Sequence, residues 1–301
     1  MSLFSSIPGV VDAVLVRGAR SVEGAAPDLL VEVPHGATRT EDFTSLEERL
    51  QSPLPEGLVD FFHVNTDAGA PELAAHLASR FVEGASERSA LILRCRVPRT
   101  FIDCNRRIDA APDEFKAGKV TPGLMPWITH PDDRALLLSR YEAYSSAVKD
   151  AVNAVMPRGA MVMMHTYAPR TVDVEVDADI VKNLRRAYEP EVEPTWPMRP
   201  EVDVIGRGRD GVSYEPDAVV AALETGLAAD GVRLARSETY PMHPSTMAWH
   251  YATAWSGRTL CVEVRRDLVA DPFTPFAQMS IGADKVARIA SRIADAVRAW
   301  W

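Results

Sequence analysis

Short, mainly apolar runs along the chain alternate with longer segments in which apolar residues recur every three or four positions. The short runs predict buried β-strands at 29–33, 90–93, 161–164 and 260–264. The longer segments predict amphipathic helices at 72–81, 134–156, 217–230 and 280–299. Strands and helices alternating in this way indicate an α/β fold with a central mixed β-sheet and helices on both faces.

The stretch 170–201 breaks this rhythm. It is charged and weakly periodic, and it contains four prolines, namely Pro190, Pro194, Pro197 and Pro200. Long segments of this kind in compact domains are usually functional loops. We therefore predict a single domain over residues 1–301 with a long loop at 170–201, either a lid over the site or an interaction arm.

Composition is that of an ordinary globular protein, with 301 residues, 47% of them hydrophobic and 25% charged. The 33 Lys and Arg residues against 42 Asp and Glu residues give a formal net charge of −9. An acidic balance argues against nucleic acid as a partner, because binding to the phosphate backbone needs clustered basic residues. The composition leaves the oligomeric state open.

Targeting and redox signals are weak. The N-terminus lacks the pattern of a signal peptide, and no apolar run approaches the roughly 18 residues that would span a bilayer. We therefore expect a cytoplasmic protein that does not interact with membranes. Cys95, Cys104 and Cys261 are odd in number and widely spaced, which predicts reduced thiols rather than disulfides or a thiolate zinc site.

Two histidines follow apolar strand-like runs: His35 comes after 29–33 and His165 after 161–164. Ligands of open α/β sheets collect beyond the carboxyl ends of the strands, so both side chains are candidates for one site. Two histidines and a carboxylate form a common catalytic zinc set. Asp67 is the candidate carboxylate, although an aspartate just before a helix is more often an N-cap and a single strand-end histidine more often structural.

The segment 97–109 carries a cluster of charged and amide side chains that includes Arg99, Asp103, Asn105 and Arg106. A guanidinium beside a carboxamide is well suited to a substrate carboxylate, because its planar fork meets two oxygens at once. An ion pair between arginine and aspartate at the end of a strand is the structural alternative.

Glu263 lies at an inward position of the strand predicted at 260–264. Since an unpaired buried carboxylate is costly, it needs a role or a partner. It is either a general base beside a metal or the ion-pair partner of Arg265 or Arg106. His250, just before a tyrosine, is a further candidate for polarising a carbonyl or contacting substrate.

Taken in order, the motifs between residues 28 and 275 resemble those of the N-formylglutamate amidohydrolase family. The matching segments are Pro34-His35-Gly36-Ala37, Thr66-Asp67 through Glu72-Leu73, Pro98-Arg99 with Asp103-Cys104-Asn105-Arg106, His165-Thr166-Tyr167-Ala168-Pro169, Arg199-Pro200 with Asp203-Val204-Ile205-Gly206, His250-Tyr251, and Val262-Glu263-Val264-Arg265-Arg266. The resemblance implies a zinc carboxypeptidase-like (phosphorylase/hydrolase-like) fold related to the aspartoacylase-like deacylases.

The resemblance also implies roles for individual residues. Zinc is expected on His35, Asp67 and His165, with Glu263 as the base that takes a proton from water and Arg99 as a second catalytic residue. The residues expected to bind substrate, its carboxylate above all, are Asn105, Arg106, His250 and Arg266. The chain departs from the family pattern at Gly36, Thr166-Tyr167 and Arg265, and 171–198 has the character of an insertion.

These observations predict a zinc-dependent amidohydrolase that cleaves an N-acyl amino acid or another small amide bearing a carboxylate. Two alternatives remain open. One is a non-catalytic binding or scaffold protein that keeps the fold, which the departures motivate. The other is a carboxypeptidase-like peptidase, which requires a pocket open enough for a polypeptide.

Overall fold

The computed structural model describes residues 4–111, 113–114 and 121–301. Within these residues the centre of the molecule is a seven-stranded mixed sheet in the order β1-β3-β2-β4-β7-β5-β6. The strands are β1 Val11–Arg17, β2 Leu29–Val33, β3 Ser89–Cys95, β4 Ala160–Tyr167, β5 Val202–Val204, β6 Leu234–Arg236 and β7 Thr259–Arg265. The central strands β3, β2, β4 and β7 run parallel, whereas β1 and β5 are antiparallel to β3 and β7.

Helices cover both faces of this sheet. They are α1 Thr40–Glu47, α2 Leu58–Asn65, α3 Ala70–Gly84, α4 Pro131–Val155, α5 Ile180–Ala187, α6 Asp217–Ala229, α7 Met247–Ala254 and α8 Ala283–Val297. Alternate residues of β2 serve the two layers: Leu29 packs with α3, α6 and α8, whereas Leu30 packs with the layer that holds α1, α2 and α4. The predicted α/β class is thereby confirmed.

The elements that the apolar pattern predicted are present with small shifts at their ends, and the missed elements are short or exposed. The strands β5 and β6 have three residues each, and β1 lies at the edge of the sheet with Val14 half exposed. The missed helices α1, α2 and α7 have eight residues each, too few for a periodic stripe to stand out.

The long loop predicted at 170–201 contains regular structure. Helix α5 lies inside it, and a 3₁₀ turn follows at Glu193–Thr195. Four of the eight residues of α5 are buried at helical spacing, namely Ile180, Val181, Leu184 and Ala187. This spacing was hard to recognise in the sequence because the helix is short and its other positions are polar or charged.

Two further predictions can be compared with the structure. All three cysteines are free and buried, as expected. No described helix combines the length and the apolarity needed to cross a bilayer.

Candidate active site

The polar side chains singled out from the sequence meet at the carboxyl ends of the central parallel strands. His35 follows β2 by two residues, while His165 in β4 and Glu263 in β7 are paired neighbours across the sheet. Asp67 lies between α2 and α3, on a loop that the Thr66 hydroxyl fixes by donating to the carbonyl of Ala37 at 2.6 Å. The parallel strands therefore bring together residues that are distant along the chain.

A close approach of backbone and side chain shapes the loop that carries Asp67. Gly69 has a φ of 92° and caps α3. A Cβ at this position would lie 2.6 Å from the Cγ2 of Val269, which is buried. A glycine is therefore required both for the left-handed conformation and for the space.

His35, Asp67 and His165 form a buried cluster whose potential ligand atoms lie within 4.8 Å of one another. The Nδ1 atoms of His35 and His165 lie 3.2 and 2.9 Å from the same oxygen, Oδ2 of Asp67. The backbone N–H of Thr166 donates to that oxygen at 3.3 Å. Burial disfavours charge on His165, but its hydrogen bond with Asp67 and its other favourable interactions, among them that with Glu263, together outweigh burial and hold its pKa well above the usual value.

Asp103 orients the ring of His35 in this cluster. Its Oδ1 lies 2.8 Å from Nε2 of His35, and its Oδ2 accepts from Arg99 at 2.8 Å. Although burial works against ionisation, Arg106 and Arg99 hold the pKa of Asp103 well below its usual range. The predicted alternative, an ion pair between arginine and aspartate, therefore forms, and the same aspartate also fixes a histidine of the cluster.

The cluster fits a divalent metal. Because Nε2 of His35 is engaged with Asp103, its Nδ1 is the nitrogen left to act as a ligand, an arrangement typical of metal-binding histidines. In His165, Nε2 is buried and has no hydrogen bond among the described residues. The hydrogen bond between Nδ1 and Asp67 therefore orients this ring. Two imidazoles and one carboxylate match the donor set of catalytic zinc sites.

Glu263 lies beside the cluster and is 7% exposed. Its Oε1 accepts a hydrogen bond from the hydroxyl of Tyr240, whereas its Oε2 has no hydrogen-bond partner among the described residues. Burial raises the pKa of Glu263. Neither predicted ion pair forms, because Arg265 pairs with Asp267 at 2.8 Å and Arg106 donates to backbone carbonyls.

Tyr240 is a site residue that sequence reasoning missed. It lies in the loop between β6 and α7, where no periodic pattern or charged motif marks it. Burial and the neighbouring Glu263 hold the pKa of its hydroxyl well above the usual value, so the hydroxyl remains a hydrogen-bond donor. Only the folding of that loop over β7 reveals its contact with the carboxylate.

Three arginine side chains of the site differ in how many of their nitrogens have hydrogen-bond or ion-pair partners. Arg106 donates to the carbonyls of Thr121 and Asn105 and lies 3.5 Å from Asp103. Arg99 has hydrogen bonds at both terminal nitrogens but none at its buried Nε. Arg266 is 4% exposed, and among the described residues no carboxylate lies within ion-pair distance of it. Its hydrogen bond goes to the carbonyl of His63 at 3.4 Å, and its Nε has none.

One cavity of about 930 Å³ contains the cluster of His35, Asp67 and His165, together with Glu263 and most of the predicted substrate contacts. Asn105, Arg106 and Arg266 all line it. His250 does not, since it is exposed on α7 and stacks edge-on against Tyr251. The structure therefore does not bring His250 together with the other predicted residues.

The departure at Gly36 has a packing explanation. A Cβ at this position would lie 2.6 Å from Cγ of Arg94, and Arg94 donates from Nε to the carbonyl of Gly36 at 2.7 Å. The arginine therefore occupies the space that a serine side chain would need. The glycine at position 36 therefore accommodates Arg94 and does not displace His35 from the cluster.

Comparison with known proteins agrees with this geometry. The family model of N-formylglutamate amidohydrolase matches residues 28–270. An N-formylglutamate amidohydrolase from Ralstonia eutropha JMP134 is similar in structure, with a TM-score of 0.58, 16% identity, and coverage of 96% of this chain and 98% of that one. A gene product of Agrobacterium tumefaciens has a TM-score of 0.55 at 16% identity, covering 97% and 94% of the two chains. A search of curated proteins finds no significant match.

The family match assigns the chain to the hydrolases that act on carbon–nitrogen bonds. The family match covers most of the chain, and the chain belongs to the N-formylglutamate amidohydrolase family. The closer relation to zinc carboxypeptidases stays a prediction.

Proposed function

We propose that this protein is a zinc-dependent amidohydrolase that cleaves the amide of an N-acyl amino acid or of another small amide bearing a carboxylate. One observation carries the proposal. The buried cluster of His35, Asp67 and His165 and the unpartnered Oε2 of Glu263 open into the same cavity. Membership of the amidohydrolase family supports the reaction class.

His35, Asp67 and His165 would hold the metal, with Asp103 fixing the ring of His35. When bound, the ion would polarise the scissile carbonyl and lower the pKa of water at the site. Two imidazoles and one carboxylate would offset one of the two positive charges of Zn²⁺.

Glu263 would accept the proton of the attacking water and deliver it to the nitrogen of the leaving amine. Its free Oε2 provides the acceptor, and the hydrogen bond from Tyr240 fixes the carboxylate through Oε1. Burial raises its pKa above that of an exposed glutamate, which makes it a stronger base toward water.

Two sets of residues would handle charge on the substrate. Arg266 is buried and has no carboxylate partner among the described residues. It would bind the carboxylate of the amino acid together with the Asn105–Arg106 pair, and that carboxylate would compensate the charge of Arg266. Arg99, whose Nε is free and whose guanidinium is fixed by Asp103, would stabilise the charge that develops on the carbonyl oxygen.

Elemental analysis of protein purified without a chelator or a histidine tag tests the proposal. We expect about one zinc ion per chain in the wild type, little in His35→Ala and His165→Ala, and a normal content in His250→Ala, which changes an exposed histidine outside the cavity. The metal-loaded wild type should release formate or another acid from N-acyl amino acids. A folded protein that takes up no zinc would instead favour the binding or scaffold alternative.

A further inference from the structure

Part of the cavity has no role in the proposed reaction. It is formed by apolar side chains of α2, of the stretch 172–176 and of α5, here called the apolar wall: Phe61, Val64, Val172, Val174, Val176, Ile180 and Leu184. Along 172–176 the valines are half-buried, whereas the intervening Asp173 and Glu175 are exposed. The valines place hydrophobic surface in the cavity, whereas Asp173 and Glu175, which also line it, keep their charges exposed to solvent.

The apolar wall is fixed to the body of the protein. Arg185 of α5 forms an ion pair with Asp60 of α2 at 2.7 Å, and Ile180 and Leu184 are buried in the main hydrophobic core. Tyr188, just after α5, packs edge-on against Phe276 with ring centroids 5.4 Å apart. The hydrophobic surface is therefore preformed, and no ordering of the segment is required before a ligand binds.

The apolar wall is also continuous with the catalytic cluster. Helix α2 ends at Asn65, two residues before Asp67, and Arg266 donates to the carbonyl of His63 in the same helix. The cavity, at about 930 Å³, lies near the upper end of the roughly 300–1,000 Å³ typical of pockets for drug-sized ligands. A one-carbon acyl group would leave this wall uncovered.

We propose that the substrates are N-acyl amino acids whose acyl group is a medium-length alkyl or aryl chain that lies on the apolar wall. The inference rests on the proposed function. Hydrolysis breaks the C–N bond of the amide, adds the hydroxyl of water to the acyl carbon and gives the proton to the amine nitrogen. The products are an apolar carboxylic acid and a free amino acid. Val174 and Val176, which line the cavity from the stretch 172–176, determine this preference.

Binding of an acyl series tests the inference separately from turnover. The probes are N-acetyl, N-butanoyl, N-hexanoyl and N-octanoyl derivatives of L-glutamate and of L-alanine, titrated into zinc-loaded Glu263→Gln protein by calorimetry. In at least one series we expect Kd to fall about four-fold per methylene as the chain covers the wall. We also expect the heat-capacity change to become more negative with chain length.

A pair of substitutions locates the effect. Val174→Asp should weaken binding of the octanoyl ligand about ten-fold and change binding of the acetyl ligand little, because a charge replaces a hydrophobic contact. Val22→Asp makes the same change at a residue that is 71% exposed and outside the cavity, and it should have no effect on either ligand. If Val174→Asp fails to fold, Val174→Thr keeps the shape and should reduce the dependence on chain length.

Each result decides the question. A Kd that does not change with chain length, or no binding in either series, would overturn the inference. Hydrolysis of formyl and acetyl substrates by the wild type with such a flat series would retain the proposed function and discard the acyl preference. Chain-dependent binding without hydrolysis of any member by the wild type would retain the apolar wall as a binding surface and reject the proposed function.

Discussion

The two parts of the cavity are built on opposite principles. The polar part consists of the cluster and the two carboxylates beside it, and its residues come from five places along the chain: His35, Asp67, Asp103, His165 and Glu263. Hydrogen bonds or ion pairs fix most of their polar atoms. The apolar wall takes most of its residues from one continuous stretch between residues 172 and 184, and it contributes side chains without polar atoms.

This difference separates chemistry from selectivity. A substitution in the cluster leaves a buried polar or charged group without its partner, and such losses are large. A substitution at a half-buried valine of the wall removes only hydrophobic contact, and its cost depends on the ligand. Substitutions in the wall are therefore expected to leave the cluster undisturbed.

The largest expected effect comes from Glu263→Gln, which removes the proton acceptor but preserves the shape of the side chain. We expect kcat to fall about 10²- to 10⁴-fold while zinc content is unchanged. Glu87→Gln, at an exposed residue that pairs with Arg20, is the matched control. Turnover of Glu263→Gln at the wild-type rate on a hydrolysed substrate would remove this residue from the mechanism.

The second largest expected effect is on how the free energy of unfolding depends on pH. Glu32 is buried beneath the cluster and accepts a hydrogen bond from Tyr144 at 2.9 Å. Burial raises its pKa from 4.5 to about 7. Folding therefore holds a proton that the unfolded chain releases, so stability falls as pH rises from 4.5 to 7 and changes no further above that range. At about 1.4 kcal/mol per unit, the penalty reaches about 3 kcal/mol.

Glu32→Gln keeps an acceptor for the Tyr144 hydroxyl and cannot ionise. We expect its free energy of unfolding to exceed that of the wild type by up to about 3 kcal/mol at pH 8 and to vary less between pH 4.5 and 7. Denaturant unfolding at several pH values measures both. The exposed Glu23→Gln serves as control. A pH dependence identical in Glu32→Gln and wild type would show that other groups set it.

Asp103→Asn probes the support of the cluster. The substitution removes the negative charge that faces Nε2 of His35, and we expect zinc affinity to fall about 10- to 100-fold. Competition with a chromogenic chelator measures the change. Asp109→Asn, at an exposed carboxylate paired with Arg107, should leave the affinity unchanged. Equal zinc affinity in Asp103→Asn and wild type would reduce Asp103 to a partner of the arginines.

The smallest effect is expected where the apolar wall is tied to α2. Arg185 is largely exposed, so the ion pair with Asp60 contributes at most about 1 kcal/mol to the free energy of unfolding. A double-mutant cycle with Arg185→Gln and Asp60→Asn, followed by denaturant unfolding, measures this coupling. A coupling of several kcal/mol would mean that the wall is held mainly by this pair rather than by the burial of Ile180 and Leu184.

The sequence by itself determined the long elements and the identity of the reactive side chains. The run at 29–33 predicted β2 and the position of His35 after it, because a strand buried on both faces is mainly apolar. The motif around Asp103 and Asn105 drew attention to side chains that line the cavity or orient its cluster. In each case the signal is local: a run, a period or a short group of residues.

Tertiary structure alone decided which of these side chains meet. Tyr240 reaches Glu263, and Asp103 reaches His35, only because loops from separate elements fold over the same sheet edge. It also placed His250 outside the cavity. The valines of 172–176 line the cavity, which the sequence could not predict. Alternating apolar and charged residues indicate two faces of a segment but not what each face contacts. Packing sets such contacts between distant parts of the chain, and no local pattern encodes them.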